Sequence, residues 1–488
     1  MDKETIKLED QLKKHFGFSS FREGQKEIIE SVLDNQHTLA TLPTGSGKSI
    51  CYQLPSLIVE GITIVVSPLI SLMVDQVKLL RAQGYKRVTA LNSLLSYEQK
   101  SKLLSHLNRY RMIYCSPEML QQESFINRLK QLNVLQFVID EAHCISQWGH
   151  EFRPDYLRLK DVIETLGEPT VLALSATATP KIQDDIVKQL SLNMRKIIYP
   201  MDRVNITYSV LKSDNQIEKQ EQIIHLLEQA KAPTMIYFSS RVMTEQLYGL
   251  LQQQFPERKV AYYHGGMEQQ DRLLIQQQFM HDQLDIICCT SAFGMGVNKD
   301  NIRLIIHYHL PTNLESFIQE TGRAGRDGKQ SVSVLLYTKG DETIPFQIIE
   351  SELPDDSEIE RYLHAKQEGI NIDIESELSE TKLRFLNYHT HKLTQTLTQQ
   401  SEIEEELKSF RDHRKQLKIN SVINLVRWVN AEDCRRALLF QPYQEHVRPA
   451  LFDCCDHCGF NIHKWEIDLN IHHDYKQNWR NILEEMFQ

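Results

Sequence analysis

No apolar run in this 488-residue chain approaches the roughly 20 residues that a membrane-crossing helix needs. The first residues, Met1 to Lys7, are charged and carry no apolar segment, so no secretory leader is expected and the cytoplasm is the expected compartment. Positive charge is not in excess: 55 Lys and Arg face 65 Asp and Glu, for a net charge of −10. That excludes a protein that coats nucleic acid through an overall positive field, although not one with a local groove. Solenoid repeats and low-complexity tracts are absent. Cysteine is sparse, and its nine copies fall into two groups. Cys51, Cys115, Cys144, Cys288 and Cys289 sit in or beside apolar segments and read as small buried hydrophobes. Cys434, Cys454, Cys455 and Cys458 cluster late, which in a cytosolic chain suggests a metal rather than disulfides.

What the chain does have is a phosphate-loop pattern and an acidic strand end in the right order. Residues 41 to 49 read Thr-Leu-Pro-Thr-Gly-Ser-Gly-Lys-Ser, and Asp140-Glu-Ala-His143 follows 92 residues beyond Lys48. A Gly-rich turn opening a helix offers consecutive backbone N–H groups to phosphates. Thr44, Gly45, Ser46, Gly47, Lys48 and Ser49 are therefore the expected nucleotide cradle, with Lys48 between the β- and γ-phosphates. Ser49 and Asp140 are the expected Mg²⁺ ligands, and Glu141 is expected to polarise the attacking water. His143 would relay the nucleotide state. One glycine is missing: Leu42 stands where the GxxxxGK pattern begins.

A chain this long predicts two to four domains. Short β-rich runs at 61–67, 134–140 and 171–175 alternate with helical patterns, as in a parallel sheet covered by helices on both faces. The pattern restarts after Asp202-Arg203, with runs at 234–239, 260–263, 285–290, 304–307 and 332–337. This second α/β lobe has no phosphate loop of its own and is expected to close over the nucleotide of the first. Strand signals stop near 340, residues 351 to 380 are acidic and polar, and helix starts are expected at Ser401 and Asn430.

The variant Leu-Pro-Thr-Gly-Ser-Gly-Lys-Ser resembles superfamily 2 helicases. Gln319-Glu-Thr-Gly-Arg-Ala-Gly-Arg-Asp-Gly328 resembles the helicase motif whose arginines, here Arg323 and Arg326, reach across the cleft to the phosphates. The resemblance narrows to the RecQ family of DNA helicases at residues 16 to 25, where Gln25 would pair with adenine and Phe18 and Arg22 would flank the base. Further matching motifs are Val66–Gln76, Ser175–Thr177, Tyr237–Arg241, Tyr263–Gly266 and Thr290–Lys299. They make Ser239, Arg241 and His264 expected DNA contacts. Directly after the acidic motif, Ser146–Pro154 resembles the aromatic-rich loop that couples single-stranded DNA to hydrolysis. Trp148, His150, Phe152 and Arg153 there combine stacking faces with a cation.

The late cysteines resemble the RecQ zinc module. Cys434, Cys454, Cys455 and Cys458 are the expected Zn²⁺ ligands, with His457 or His446 as alternatives for the fourth, because Cys454 abuts Cys455. The resemblance implies two RecA-like parallel-sheet lobes (1–205 and 206–345), a small helical zinc-binding module (346–465) and a C-terminal tail (466–488). The chain resembles a short, RecS-like form without winged-helix and HRDC domains. Expected from this is an ATP-dependent 3′ to 5′ DNA helicase acting on single-stranded and tailed duplex DNA in recombination and repair. It would be monomeric and nucleoid-associated, using ATP, Mg²⁺ and Zn²⁺. The alternatives are an RNA helicase and an ATP-gated DNA-binding or annealing factor. Lys408, Arg411, Lys415 and Lys418 also share one helix face, where they could meet phosphates or only solvent.

Overall fold

A computed structural model describes residues 7–92, 95–146, 153–294, 299–368 and 377–468. Trp148, His150 and Phe152 lie outside the described residues. The first sheet has seven strands: β1 (Thr38–Thr41), β2 (Ile62–Val66), β3 (Val88–Leu91), β4 (Met112–Cys115), β5 (Val134–Ile139), β6 (Thr170–Ser175) and β7 (Arg195–Ile198). Their order is β3-β4-β2-β5-β6-β1-β7, all parallel. Period-2 alternation divides their side chains between two cores. Ile64, Phe137 and Val171 face one, while Val65, Val138 and Leu172 face the other. Both faces are therefore apolar, as a parallel sheet covered by helices requires.

The second sheet follows β8 (Ile206–Lys212) and the short β9 (Ala230–Lys231). It contains β10 (Thr234–Phe238), β11 (Val260–Tyr263), β12 (Ile286–Thr290), β13 (Leu304–His307) and β14 (Ser331–Tyr337). Its order is β11-β12-β10-β13-β14-β8, again parallel. Cys288 and Cys289 face opposite cores, and all five cysteines read as hydrophobes are fully buried. The second sheet takes its first strand from Ile206, after Arg203. Strands β1, β3, β4, β7 and β8 were not among the expected ones. Four of them are only four residues long.

Helices Thr343–Glu352, Asp356–Glu368 and Glu380–Leu393 lead into one of 31 residues, Gln400–Asn430. The long helix starts at Gln400, one residue from the expected Ser401 but without its capping box, and Asn430 ends it rather than starting another. Cys434 precedes the next helix, Arg435–Phe440. The helical region divides into two parts. Ile359, Leu386, Leu393 and Leu407 form a core of their own, whereas Leu425, Trp428, Phe440 and Cys455 join the core of the second lobe.

Candidate functional site: a nucleotide cleft between two lobes

The phosphate loop leaves β1, and the acidic motif leaves β5. Strand β6 runs between them, so Ser175 at its end lies between both. Gly45 and Gly47 take φ of 79° and 75°, the left-handed region that a side chain disfavours. Ser49 sits at the start of helix Ile50–Ile58, whose N-terminal dipole favours an anion. Leu42 is fully buried in the core, so the position of the missing glycine serves packing.

Arg22 and Gln25 hold this loop from outside. Arg22 Nη1 donates to Gly45 O (2.5 Å), and Gln25 Nε2 donates to Ser46 O (2.8 Å) and Gly47 O (3.1 Å). Gln25 Oε1 accepts the Arg22 N–H (2.9 Å), so both ends of the amide are engaged. Phe18 is half-exposed nearby in sequence. The expected adenine residues are therefore also the brace of the phosphate loop. Ser46 Oγ is buried without a hydrogen-bond partner among the described residues, as befits a hydroxyl that meets a ligand oxygen.

Burial pushes the Asp140 carboxyl well above its usual range, the Glu141 carboxylate adds to the rise, and Lys48 opposes it. Two acidic groups held this closely beside one ammonium suit a divalent cation, whose charge would relieve both. Ser49 and Asp140 would be the residues to hold Mg²⁺, which when bound would neutralise phosphate charge. Glu141 itself adopts φ of 50°, an uncommon state for a non-glycine residue. A polar chain leads away from it. His143 Nδ1 lies 3.4 Å from Glu141 Oε2 and 3.1 Å from Ser175 Oγ. Ser175 Oγ accepts from Thr177 N (3.2 Å), and Thr177 Oγ1 accepts from Gln319 Nε2 of the second lobe (3.2 Å).

Gln319 belongs to the helix Leu314–Thr321, directly before the two arginines. They have different surroundings. Arg323 Nη1 donates to Gly294 O, within its own lobe. Arg326 lies across the cleft against the phosphate loop, where a Cβ added to Gly45 would stand 2.9 Å from its Cγ. A Cβ on Gly322 would stand 2.5 Å from Thr44 Oγ1, so the lobes meet through bare backbone. Loss of water, then repulsion from Arg323 and Arg203, pulls the Arg326 guanidinium down to about 9. Polyphosphate seated there would remove the repulsion, and the site fits a nucleoside triphosphate.

Arg203 was missed by the sequence reading. It lies in the connection between the sheets and donates to Thr44 O (3.0 Å), Gly322 O (3.1 Å) and Gly325 O (2.6 Å). One guanidinium thus ties the phosphate loop to the arginine-bearing turn. Its place at the point where the strand pattern restarts was the only signal in the sequence.

Of the expected strand-binding residues, Arg153 donates to Pro68 O (2.9 Å) and anchors the end of the aromatic segment to the loop after β2. Arg241 opens the helix Arg241–Gln254 and packs against Gly266. His264 Nε2 is 2.7 Å from Glu245 Oε1. Ser239 N–H donates to His309 Nδ1 (3.1 Å), which requires that nitrogen to be unprotonated. Burial pulls the His309 ring down to about 4. Because the unfolded ring binds its proton near 6.5, stability is complete above that pH and declines as pH falls toward 4. We expect a loss of about 3 kcal/mol across that window. His309→Gln should remove this part of the slope, measured as urea midpoints at pH 7 and pH 4.5.

The four late cysteines converge, with every sulfur within 4.8 Å of the others. Cys434 Sγ stands 3.6 Å from Cys454 Sγ and 3.9 Å from Cys455 Sγ. Tetrahedral Zn–S bonds of about 2.3 Å put sulfurs about 3.8 Å apart, so the set fits Zn²⁺. His446 and His457 are not part of the cluster. Against the rise that burial imposes, the Ala437 N–H and the neighbouring thiols hold the Cys434 thiol below its usual value. Burial and Cys434 raise Cys454 to about 11. Such a group holds several thiolates only with a cation among them. The same segment edges the second sheet: Tyr208 N–H donates to Cys454 O (3.2 Å), and Val210 N–H donates to Asp456 Oδ2 (3.1 Å).

The cationic helix face meets carboxylates. Lys408 pairs with Glu360 (3.0 Å), Arg411 with Asp356 (2.7 Å), Lys415 with Glu350 (3.3 Å) and Lys418 with Glu352. The acidic stretch read from the sequence is therefore bound by the chain's own cations, and the stripe holds preceding helices in place. Among the described residues, no helix is long and apolar enough to cross a membrane.

Comparison with known proteins agrees with this geometry. Residues 22–186 match the DEAD/DEAH box helicase family and residues 218–328 the helicase conserved C-terminal domain. The helicase Lhr of Mycobacterium smegmatis, solved with single-stranded DNA and AMP-PNP, shares the fold (TM-score 0.57, 20% identity, 70% of this chain and 49% of that one). The chain is 41% identical to the ATP-dependent DNA helicase RecQ of Haemophilus influenzae over 68% of its length, and spans 53% of that relative. A probable ATP-dependent DNA helicase RecS from Bacillus subtilis matches more fully, at 41% identity over 94% of this chain and 93% of its own. Identity sustained through both lobes and the cysteine cluster settles the affiliation: the chain belongs to the RecQ family of ATP-dependent DNA helicases and is an ATP-hydrolysing enzyme.

Proposed function

We propose that this helicase translocates 3′ to 5′ along single-stranded DNA and separates duplex at tailed junctions, in recombination and repair. In this reading Lys48 and Arg326 grip the phosphates, Arg323 steadies the turn that carries Arg326, and Glu141 orients the attacking water. Phe18, Arg22 and Gln25 would select adenine. The strand would run over Ser239, Arg241 and His264 of the second lobe and the Trp148–Arg153 segment of the first. The observation that carries the reading is the polar chain from Glu141 through His143, Ser175 and Thr177 to Gln319. It joins the hydrolytic carboxylate to the opposite lobe, so loss of the γ-phosphate alters a contact that holds the lobes together. Motion of one lobe against the other, with each gripping the strand in turn, is translocation.

Strand displacement on 3′-tailed, 5′-tailed and blunt duplexes, with Lys48→Ala as control, tests it. Displacement of the 3′-tailed substrate alone is the expected result. DNA-stimulated ATP turnover with no displacement on any substrate would point instead to an ATP-gated binder, and stronger stimulation by RNA to an RNA helicase. Because Lys415 serves Glu350, Lys415→Glu should leave DNA affinity within about twofold of the parent and barely alter stability. A fall of tenfold would return the stripe to the DNA track.

A further inference from the structure

A cavity lies at the edge of the first sheet, away from the phosphate loop that leaves β1. It occupies about 550 Å³ along β3, between the helices Ile70–Ala82 and Tyr97–Ser105. Strand β3 is the edge of the first sheet and pairs only with β4 among the described strands. Val74, Val77, Ala90, Leu95 and Leu103 give the groove an apolar lining, and its volume is that of a ligand site. Around them stand Lys78, Arg81, Lys102, His106 and Arg109, while no carboxylate lines the groove. None of these five forms an ion pair with a carboxylate among the described residues. Lys78 has Asp75 near it on its own helix, but on a chain with a net charge of −10 five cations around one groove are a local exception.

We propose that this groove docks an acidic peptide segment of a partner protein, with apolar side chains interleaved among its carboxylates. The apolar lining takes the former and the cationic rim the latter, a division suited to peptide recognition. Arg81 donates to Val88 O (2.9 Å from Nη2), closing the strand edge there, so side chains rather than a full added strand carry recognition. Two observations favour peptide over nucleic acid. Tyr110 is the only Phe, Tyr or Trp among the described residues of the lining, whereas strand binding uses successive stacking faces. The groove follows β3, and β4, β2, β5 and β6 stand between it and β1, which carries the phosphate loop.

Fluorescence anisotropy on the full chain tests the proposal, with labelled Asp-Glu-Leu-Asp-Glu-Phe-Asp-Leu as probe. Saturable binding that weakens with added salt is expected, and Lys102→Glu with Arg109→Glu should weaken it at least tenfold. Both residues are exposed, and unchanged DNA-stimulated ATP turnover in the double variant verifies its fold. A second variant, Leu103→Asp, tests the apolar lining independently and should weaken binding to a similar degree. Absence of binding at 1 mM probe, or equal affinity for parent and variants, overturns the proposal. A tenfold loss of oligothymidylate binding with the peptide unaffected assigns the groove to nucleic acid and overturns it as well.

Discussion

Arg326→Ala is expected to lower the single-turnover rate of ATP hydrolysis by about a thousandfold, while nucleotide affinity falls far less. Arg22 and Arg203 bind carbonyls of the phosphate loop, whereas Arg326 lays its side chain over Gly45 from the opposite lobe. Loss of hydration and repulsion from Arg323 and Arg203 act against its charge. A group held at such a disadvantage gains most where negative charge is greatest, and in phosphoryl transfer that is the migrating γ-phosphoryl group. Arg326→Lys keeps one charge but loses the fork, so partial recovery is expected. Turnover of Arg326→Ala within tenfold of the parent would remove Arg326 from catalysis. Arg323→Ala makes a useful contrast. Its guanidinium is engaged by Gly294 O, so thermal stability of the second lobe should fall along with turnover.

Cys455→Ser is expected to abolish Zn²⁺ binding by the cysteine cluster and destabilise the second lobe by about 3–5 kcal/mol, lowering its thermal midpoint by about 10 °C. Cys455 is fully buried in the core of that lobe, its Sγ accepts from Arg435 N–H (3.3 Å), and the chain around it borders β8. The damage should extend further. Arg436 donates to Arg203 O (2.9 Å), and Arg203 reaches the phosphate loop, so nucleotide affinity should decline with the metal. Metal content, calorimetry and fluorescent-nucleotide titration check these outcomes together. A chelator applied to the parent protein should reproduce them. Unchanged stability after complete metal loss would mean that packing alone holds the cluster.

Much of the cleft was legible because its parts are local. The order of Lys48, Asp140 and the two arginines marks an NTPase before any tertiary contact is known, and β5, which places Asp140, is long enough to register as a strand, although β1 ahead of Lys48 is not. Arg203 was not legible, since its partners are carbonyls of residues 159 and 119 positions away and backbone leaves no signature in residue type. Gln25 showed its chemistry but not its second task of bracing the loop. The cationic stripe showed its face by period and hid its partners, which lie 48 to 66 residues upstream. Adjacent Cys454 and Cys455 looked unfavourable for one metal until the backbone turned both sulfurs the same way. Asn430 was misread because its capping preference concerns the start of a helix, while here the long helix simply ends.

The covering of β8 also sets a timetable. Val210 waits for Asp456, 246 residues later in the chain. Ribosomes add about 5–20 residues per second, so the outer side of β8 stays open for about 12–50 s during synthesis. An unpaired strand edge is a template for a neighbouring chain over that interval. Nascent copies on one message are therefore expected to misassociate most readily through β8, until the cysteine segment covers it.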